Sequence, residues 1–308
     1  MRSSLPLTAL VASASANVGI MLPIYEYPTA AAMPDWKALM QAVDAHPQLD
    51  FYVIINNGQG APYDTSPPGS IQDWAKLLGQ LHNRTNVHTL GYVFTSHSTR
   101  ANATVKNGVD QYASWTAHKG WDGDNVLYDI HMDGIFFDEI VTDPSLLAYN
   151  KEIASYAGTV FGSRSGPVAL NPGGLVQQGS ESLFDVADVI VNIETCYTTV
   201  QGARDTPTSG YRCPTGRYTP FTPAMLDSLP QNRTRVARSS VLVHDAYDSW
   251  NSYQPATLST LRTDVKAMVN KGVHSFCISQ LGYNANFTAE PASITTVSRL
   301  AAAAQGLS

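Results

Sequence analysis

The chain has 308 residues, of which 44% are hydrophobic and only 14% are charged. This balance excludes an intrinsically disordered protein, because disordered chains are rich in charge and poor in apolar residues. The net charge is −6 and no Lys/Arg cluster occurs, so the sequence offers no electrostatic footprint for nucleic acid or for an anionic membrane surface.

The first residues have the pattern of a secretory signal peptide. Met1-Arg2 gives a basic start, residues 5–12 lean apolar, and Ala14-Ser15-Ala16 is a small-residue cleavage site. We expect cleavage after Ala16 and a mature chain, residues 17–308, that forms one catalytic domain. Because Pro6 interrupts the short apolar stretch, a frayed cytosolic tail is the alternative. No later segment approaches 18 consecutive apolar residues, so we expect no membrane span.

Eight apolar, β-branched runs follow along the chain, and helix-like segments separate them. Strands that alternate with helices predict a parallel sheet, and near-continuous apolar runs indicate strands buried on both faces. Eight such units favour a single (β/α)₈ TIM barrel over an open sheet, and no G-x-G-x-x-G follows the first run. The predicted strands are 18–25, 51–57, 87–94, 134–139, 168–171, 186–194, 239–246 and 273–280. The predicted helices are 34–45, 70–82, 109–119, 144–161, 175–184, 255–270 and 292–304.

Two adjacent acids stand where the fourth predicted strand ends. The apolar run Gly134–Phe137 leads straight into Asp138 and Glu139. Ligands bind at the carboxyl ends of parallel strands, and an ionised carboxylate is costly to bury without partners. The position therefore predicts chemistry, with a helix cap or a salt bridge as the alternative. Adjacent strand residues point to opposite faces, so both acids face inward only if the strand ends between them.

Acids, amides and aromatic residues collect at the predicted carboxyl ends of the strands, whereas the strand starts carry few acids. This set suits a carbohydrate, because sugars need polar partners for their hydroxyls and aromatic faces for their C–H surfaces. Tyr92 and Tyr283 are further candidates for the cleft wall. The predicted catalytic acids are Asp138, Glu139 and Glu194. The predicted substrate-binding residues are Tyr25, Asn56, His97, Asn171, Tyr197, His244, Asp245, Tyr247 and Gln280.

Glycoside hydrolysis needs two carboxylates beside one bond, a protonated acid and an ionised nucleophile or base. Asp138 and Glu194, at the ends of the fourth and sixth strands, can lie on opposite sides of one cleft. A structural ion pair is the alternative for Glu194.

Metal and serine chemistry have little support. The sequence has no H-E-x-x-H, no zinc-like cysteine spacing and no G-x-S-x-G elbow. His131 and His274 belong to no recognisable motif. We expect no metal and no other cofactor. A divalent cation held by His244, Asp245 and Asp138 is the alternative.

Three cysteines and four N-x-S/T sequons suit a secreted glycoprotein. We predict a disulfide between Cys196 and Cys213, and a buried free thiol at Cys277. Because Cys196 lies two residues after Glu194, the disulfide is expected to hold Glu194 and shape one cleft wall. The alternative is that it only stabilises a long loop. The predicted glycosylation sites are Asn83, Asn102, Asn232 and Asn286.

At its acids the chain resembles the spherulin-4 family, also classified as glycoside hydrolase family 135. The resemblance rests on Gly-Ile-Phe-Phe-Asp-Glu at 134–139, Asn-Ile-Glu at 192–194 and Pro-Ile-Tyr at 23–25, and it extends over about residues 17–305. It implies a (β/α)₈ barrel secreted by a fungus-like organism. It also implies endo-acting hydrolysis of galactosaminogalactan at α-1,4-linked N-acetylgalactosamine, with three important acids that correspond to Asp138, Glu139 and Glu194.

Within this trio we expect Asp138 to be the nucleophile or stabiliser, Glu194 the general acid/base and Glu139 a supporting acid. Nucleophilic attack by the substrate's own acetamido group is the alternative. The expected partner is a galactosamine-containing polysaccharide, and we expect a monomer. Two other functions compete with the hydrolase: a non-catalytic wall or spore-coat barrel that binds sugar, and a metal-dependent barrel hydrolase. The complete set of acids favours the enzyme.

Overall fold

The computed structural model describes residues 17–28, 32–56, 71–120, 125–162, 164, 166–197, 219–249, 254–280 and 287–307. Eight parallel strands close into a barrel in which each strand pairs with the next and the eighth pairs with the first. The strands are β1 Gly19–Ile24, β2 Phe51–Ile55, β3 Val87–Phe94, β4 Gly134–Asp138, β5 Val168–Leu170, β6 Val189–Cys196, β7 Ser239–His244 and β8 Ser275–Ile278. The predicted (β/α)₈ barrel is therefore confirmed.

Helices cover the outside of the barrel, and the apolar side chains between helices and strands form the core. Two short antiparallel hairpins are added, one joining Ala117–Lys119 to Leu127–Asp129 and one joining Tyr247–Ser249 to Gln254–Pro255. None of the described helices is both long and apolar enough to cross a bilayer. The helices are α1 Met33–Ala45, α2 Ile71–His82, α3 Asn102–Ala113, α4 Leu147–Phe161, α5 Arg233–Val236, α6 Leu258–Lys271 and α7 Ile294–Gln305.

The third helix was predicted at the wrong place, over 109–119. It begins at Asn102 and ends at Ala113, and Ala117–Lys119 is a strand of the first hairpin. Its buried face consists of Val105, Val109 and Tyr112, which recur at helical spacing. The prediction left Val105 out of the helix, because the residues on both sides of it in the sequence are polar.

Two boundaries around the fifth and sixth strands also differ from the prediction. The helix expected over 175–184 is only a 3₁₀ turn at Glu181–Asp185, because Gly179 has a φ of +92° and interrupts any helix there. The sixth strand was expected over 186–194 but runs from Val189 to Cys196. Glu194 therefore lies inside β6 rather than at its last position.

Close packing at two glycines helps to fix the positions of β3 and β4 along the barrel axis. A Cβ atom at Gly134 would lie 2.3 Å from the carbonyl oxygen of Pro167, so only glycine lets β4 begin against the segment before β5. Gly91 in β3 similarly leaves room for the ring of Tyr112, whose hydroxyl donates to the carbonyl oxygen of Ile55 at 2.9 Å. These contacts fix the positions of β4, whose carboxyl end carries Asp138, and of its neighbour β3.

Candidate active site

β4 ends at Asp138, and Glu139 is the first residue beyond it. Glu139 has a φ of +55°, in the left-handed region, which breaks the alternation of a strand. The strand therefore ends between the two acids, so Asp138 and Glu139 can both face inward. Asp138, Glu139 and Glu194 all line one cavity of about 380 Å³ at the carboxyl end of the barrel. The other lining residues are His97, Ile140, Val141, Asn171, Pro172 and Gly173.

Asn171, directly after β5, connects the acids of two different strands. Its Nδ2 donates one hydrogen bond to Asp138 Oδ1 and a second to Glu194 Oε2, both at 2.8 Å. Its Oδ1 accepts from the backbone N–H of Gly173 at 2.9 Å, which fixes the orientation of the amide. A single amide nitrogen therefore sets the separation of the two carboxylates.

Asp138 is half-buried and held by three donors. Besides the Asn171 amide, the Tyr92 hydroxyl donates to Oδ2 at 2.6 Å and the backbone N–H of Glu139 donates to Oδ1 at 2.9 Å. Burial raises the pKa of Asp138 above its ordinary value, although the hydrogen bonds and the nearby His97 act in the opposite direction. A carboxyl group with a raised pKa in a cavity is typical of a catalytic group.

His97 reaches the site from an unusual turn after β3. Ser96, His97 and Ser98 all have φ between +51° and +58°, a left-handed conformation that non-glycine residues rarely adopt. Thr95 Oγ1 donates to the carbonyl oxygens of Asp138 and Glu139 at 2.8 Å and so anchors the turn to the end of β4. His97 Nε2 lies 3.4 Å from Glu139 Oε2, and the His97 side chain is 70% exposed at the mouth of the cavity.

Ser98 makes the second connection between these loops. Its hydroxyl donates to Asn150 Oδ1 at 2.8 Å and accepts from the backbone N–H of Val141 at 2.9 Å. Asn150 in turn donates to the carbonyl oxygen of Val141 at 2.8 Å. The turn that presents His97 is therefore fixed to the segment that follows Glu139.

Glu194 is positioned by an irregularity in β6. The pairing register between β6 and β7 shifts between Val191 and Ile193, and such bulges re-aim the side chains that follow them. The backbone N–H of Glu194 donates to the carbonyl oxygen of Gly173 at 3.2 Å. Gly173 has a φ of +63°, so it supplies the left-handed turn that brings this segment against Glu194.

Two predicted binding residues lie at the same end of the barrel beside the acids. The ring of Tyr25 packs edge-on against the ring of Tyr92 with 5.2 Å between their centroids, which places it behind the hydroxyl that binds Asp138. Asn56 is buried directly after β2. Neither side chain lines the cavity that holds the three acids.

A separate polar cluster occupies the end of β7. His244 Nδ1 lies 2.6 Å from Asp245 Oδ2, and His244 Nδ1 lies 3.7 Å from the sulfur of Cys196. Asp245 has a φ of +54°, so β7, like β4, is followed by an acidic residue in the left-handed backbone conformation. Burial raises the pKa of Asp245, whereas the hydrogen bond and charge of His244 lower it. This cluster does not line the cavity of the three acids.

The remaining predicted binding residues point elsewhere or are not described. The hydroxyl of Tyr197 donates to Asp264 in α6, and Gln280 donates to the carbonyl oxygen of Ala246 at 2.8 Å. Neither lines the cavity, so the structure does not bring them to the acids. The side chain of Tyr247 and the whole of Tyr283 lie outside the described residues.

Cys277 is buried and free, as predicted. Cys196 is disulfide-bonded, which removes its thiolate as a metal ligand, but Cys213 lies outside the described residues, so this pairing remains a prediction.

The described sequons differ in their exposure. Asn83 and Asn232 are exposed, whereas Asn102 is half-buried and donates to Glu152 at 2.5 Å. Asn286 lies outside the described residues. Glycosylation at all four positions remains a prediction.

Sequence reasoning missed how the acids are held. It considered Tyr92 only as part of a cleft wall and overlooked Thr95 and Ser98. One signal was available for Tyr92: it precedes the end of β3 by two residues, and β3 pairs with β4, so its side chain lies on the strand next to Asp138. The hydroxyls of Thr95 and Ser98 carried no comparable signal, because their roles depend on a left-handed turn.

Residues 19–300 match the family described as spherulation-specific family 4. Spherulin-4 of Physarum polycephalum is 29% identical to this chain over 180 residues, which make up 58% of this chain and 46% of that protein. The match therefore spans about half the length of that relative. The match to the family itself extends from β1 into α7.

Solved structures share the barrel. Aspergillus clavatus Sph3, in a crystal structure with GalNAc, has a TM-score of 0.64 and 23% identity, covering 93% of this chain and 98% of that chain. A broad specificity GH5-4 endoglucanase from Clostridium cellulovorans has a TM-score of 0.51 and 10% identity, covering 94% of both chains. At these identities the likeness establishes the barrel fold alone. Together with the family match over residues 19–300, it shows that the chain belongs to spherulation-specific family 4, the spherulin-4 family that its motifs predict.

Proposed function

We propose that this protein is a secreted, endo-acting glycoside hydrolase that cleaves α-1,4-linked N-acetylgalactosamine in galactosaminogalactan. The observation that carries this proposal is the pair of carboxylates, Asp138 and Glu194, held by one amide of Asn171 in a cavity at the carboxyl end of the barrel. Sph3, whose barrel fold this chain shares, was crystallised with GalNAc, which supports an amino sugar as the substrate class.

The separation of the two carboxylates favours retention of configuration. The carboxyl groups of retaining glycosidases lie about 5–5.5 Å apart, and those of inverting enzymes about 6.5–9.5 Å apart. Asp138 Oδ1 and Glu194 Oε2 each lie 2.8 Å from the same nitrogen of Asn171, so these two oxygens are at most about 5.6 Å apart, closer to the retaining than to the inverting range. This proximity supports retention as part of the proposal.

The contacts of the acids suggest their roles. Three donors fix both oxygens of Asp138, which suits a nucleophile or stabiliser that must face the anomeric carbon in one orientation. Glu194 then serves as general acid/base from the other side of the bond. Glu139 lies beside His97 at the mouth of the cavity and acts as the supporting acid.

The surroundings of the cavity suit a polymer. Gly173 and Glu194 also line an adjoining cavity of about 210 Å³, so sugar units can extend beyond the acids on this side. Leu175 lines the adjoining cavity and is 44% exposed, which offers an apolar surface to the C–H face of a sugar ring. A chain that continues past the reacting bond supports endo-acting cleavage.

Secretion is part of the proposal. It is supported by the signal-like start of the sequence and by the exposed sequon residues Asn83 and Asn232. A disulfide between Cys196 and Cys213 would suit the same oxidising compartment. Cys196 ends the strand that carries Glu194, so this bridge would also restrain the general acid/base.

The test is oligosaccharide release from purified galactosaminogalactan, followed by mass spectrometry, with wild type, Glu194→Gln and the control Glu152→Gln. Glu152 is an exposed acid of α4 that binds Lys106 and does not line the cavity of the three acids. We expect products from wild type and the control only, and fresh products with the α configuration in NMR spectra. Products from Glu194→Gln would remove Glu194 from the mechanism.

A lack of products from wild type would overturn the hydrolase on this polymer. Binding of the same polymer without cleavage would then establish the alternative, a sugar-binding barrel. Fresh products with the β configuration would contradict retention but leave hydrolysis in place. Circular dichroism of each variant separates lost chemistry from lost folding.

A further inference from the structure

A cluster of two histidines and two aspartates lies at the opposite end of the barrel, where β3 and β4 begin. His82 is the last residue of α2, Asp129 ends a strand of the first hairpin, and His131 follows shortly before β4. Ligand atoms of His82, Asp129 and His131 all lie within 4.8 Å of one another. None of these residues belongs to the proposed catalytic site.

The distances within this cluster fit the coordination shell of one ion. His131 Nδ1 lies 2.8 Å from Asp129 Oδ1, and His82 Nδ1 lies 4.0 Å from the same oxygen. Ligand atoms bonded to one zinc ion at about 2.0–2.2 Å are at most about 4.4 Å apart, so both distances to Asp129 fall within that limit. His82 Nδ1 also lies 2.9 Å from the backbone carbonyl oxygen of Asp129, and this hydrogen bond must give way when the nitrogen binds an ion.

The remote nitrogens of both rings are held by other groups. His131 Nε2 lies 3.2 Å from Asp133 Oδ1, and His82 Nε2 lies 3.1 Å from Thr89 Oγ1. Asp133 is fixed in turn, because its Oδ2 accepts from the backbone N–H of Thr89 at 2.8 Å. A histidine that binds a metal through one nitrogen usually donates its other N–H to such a partner. Both rings therefore direct Nδ1 towards Asp129.

The two rings are stacked, with 4.3 Å between the centroids, so one ring must tilt before both Nδ1 lone pairs meet one ion. His131 is the ring that can tilt, because its side chain is 34% exposed, and the Asp129 side chain is 59% exposed. One packed imidazole, one adjustable imidazole and one adjustable carboxylate make a site that is open to water ligands on one side.

We propose that His82, Asp129 and His131 bind a divalent transition metal ion, of which Zn²⁺ is the probe of choice. Imidazole and carboxylate ligands suit this class of ion. The ion joins the end of α2, the first hairpin and the segment before β4. Because the catalytic groups of such barrels lie at the carboxyl end, the expected role of an ion at the amino end is to fasten these elements together.

The test uses protein without a histidine tag, stripped with EDTA, and titration calorimetry with Zn²⁺. Wild type should bind about one ion, and Zn²⁺ should raise its thermal unfolding midpoint. His131→Gln and Asp129→Asn should each weaken binding at least about tenfold, since even the loss of an outer partner has that effect. Both variants should lose the Zn²⁺-dependent rise in midpoint.

The matched control is His88→Gln. His88 Nε2 lies 3.1 Å from Asp50 Oδ1 at the same end of the barrel, which is a histidine–aspartate pair outside the three-ligand group. This variant should bind Zn²⁺ as wild type does. No binding by wild type, or equal binding by wild type and Asp129→Asn, would overturn the proposal. Asp129 is exposed, so its variant remains informative if His131→Gln fails to fold, and neither result depends on sugar hydrolysis.

Discussion

The two ends of the barrel use aspartate in opposite ways. At the carboxyl end, Asp138 is half-buried among neutral donors, and desolvation raises its pKa. At the amino end, Asp129 is exposed beside His131. Burial is the largest single influence on the pKa of Asp129 and raises it, but the hydrogen bonds and charge of His131, together with the charge of His82, lower it overall. The contrast teaches that the balance between burial, which raises the pKa of both aspartates, and their partners, which lower it, decides the direction in which each pKa moves.

The largest expected effect is on turnover, and it comes from making the same aspartate-to-asparagine substitution at each end of the barrel. Asp138→Asn should lower turnover by at least about 10²–10⁴-fold, the range for loss of one general acid–base group, and by more if Asp138 is the nucleophile. Asp50→Asn, at the amino end beside His88, should leave turnover unchanged. Steady-state rates on galactosaminogalactan measure both. Equal rates for the two variants would abolish the functional distinction between the ends.

A second pair of variants compares two buried asparagines. Asn171→Ala should lower turnover by about 10²-fold, because the two carboxylates lose the donor that sets their separation.

The comparison variant is Asn86→Ala at the amino end. Asn86 donates to the carbonyl oxygens of Val43, His46 and Leu49, so its loss should destabilise the fold by about 1–3 kcal/mol but spare turnover below the unfolding midpoint. Denaturant titration measures the free energy of unfolding of both variants, and rate assays measure their turnover. A rate loss for Asn86→Ala as large as for Asn171→Ala would contradict the division of labour.

The third prediction concerns the pH profile. The Tyr92 hydroxyl favours the ionised form of Asp138, so Tyr92→Phe should raise the pKa of Asp138 further. If ionised Asp138 is the nucleophile, activity falls as the pH drops through that pKa, and the acidic limb should move to higher pH. A hydrogen bond to a charged group corresponds to about one to two pH units. An unmoved acidic limb would mean that it reports another group.

The smallest effect is on stability and concerns Glu26, which follows β1. Burial raises the pKa of Glu26 to about 7, with further contributions from the charge and hydrogen bond of Asp35 in α1. The folded state therefore holds a proton that the unfolded state releases near pH 4.5, and stability should decline as the pH rises from about 4.5 through 7.

Glu26→Gln removes this titration, so its unfolding midpoint should change less than that of wild type between pH 5 and pH 8 (roughly the span of the two pKa values). Thermal melts at several pH values measure the difference. Parallel curves for the two proteins would show that Glu26 ionises normally in the folded state.

The sequence was sufficient for the barrel and for the meeting of Asp138 and Glu194, because apolar runs of strand length repeat and parallel strands end at one edge. It was insufficient for the bridge at Asn171, since only coordinates show that one amide reaches both acids. The cluster of His82, Asp129 and His131 could not be predicted either. His131 belongs to no sequence motif, and its partner His82 lies much earlier in the chain, at the end of α2. Tyr197 was misjudged because a tyrosine after a strand can equally face a helix, here Asp264 of α6.

The left-handed residues at the carboxyl end carry an evolutionary consequence. Among the described residues, the non-glycine positions with positive φ are Ser96, His97, Ser98, Glu139 and Asp245, and all of them follow β3, β4 or β7. Glycine at position 139 would relax the backbone by about 1–2 kcal/mol, but it would delete the carboxylate. Selection for a more durable protein and selection for activity therefore oppose each other at this site. Thermostable descendants that keep the acid should gain their stability at the other end of the barrel.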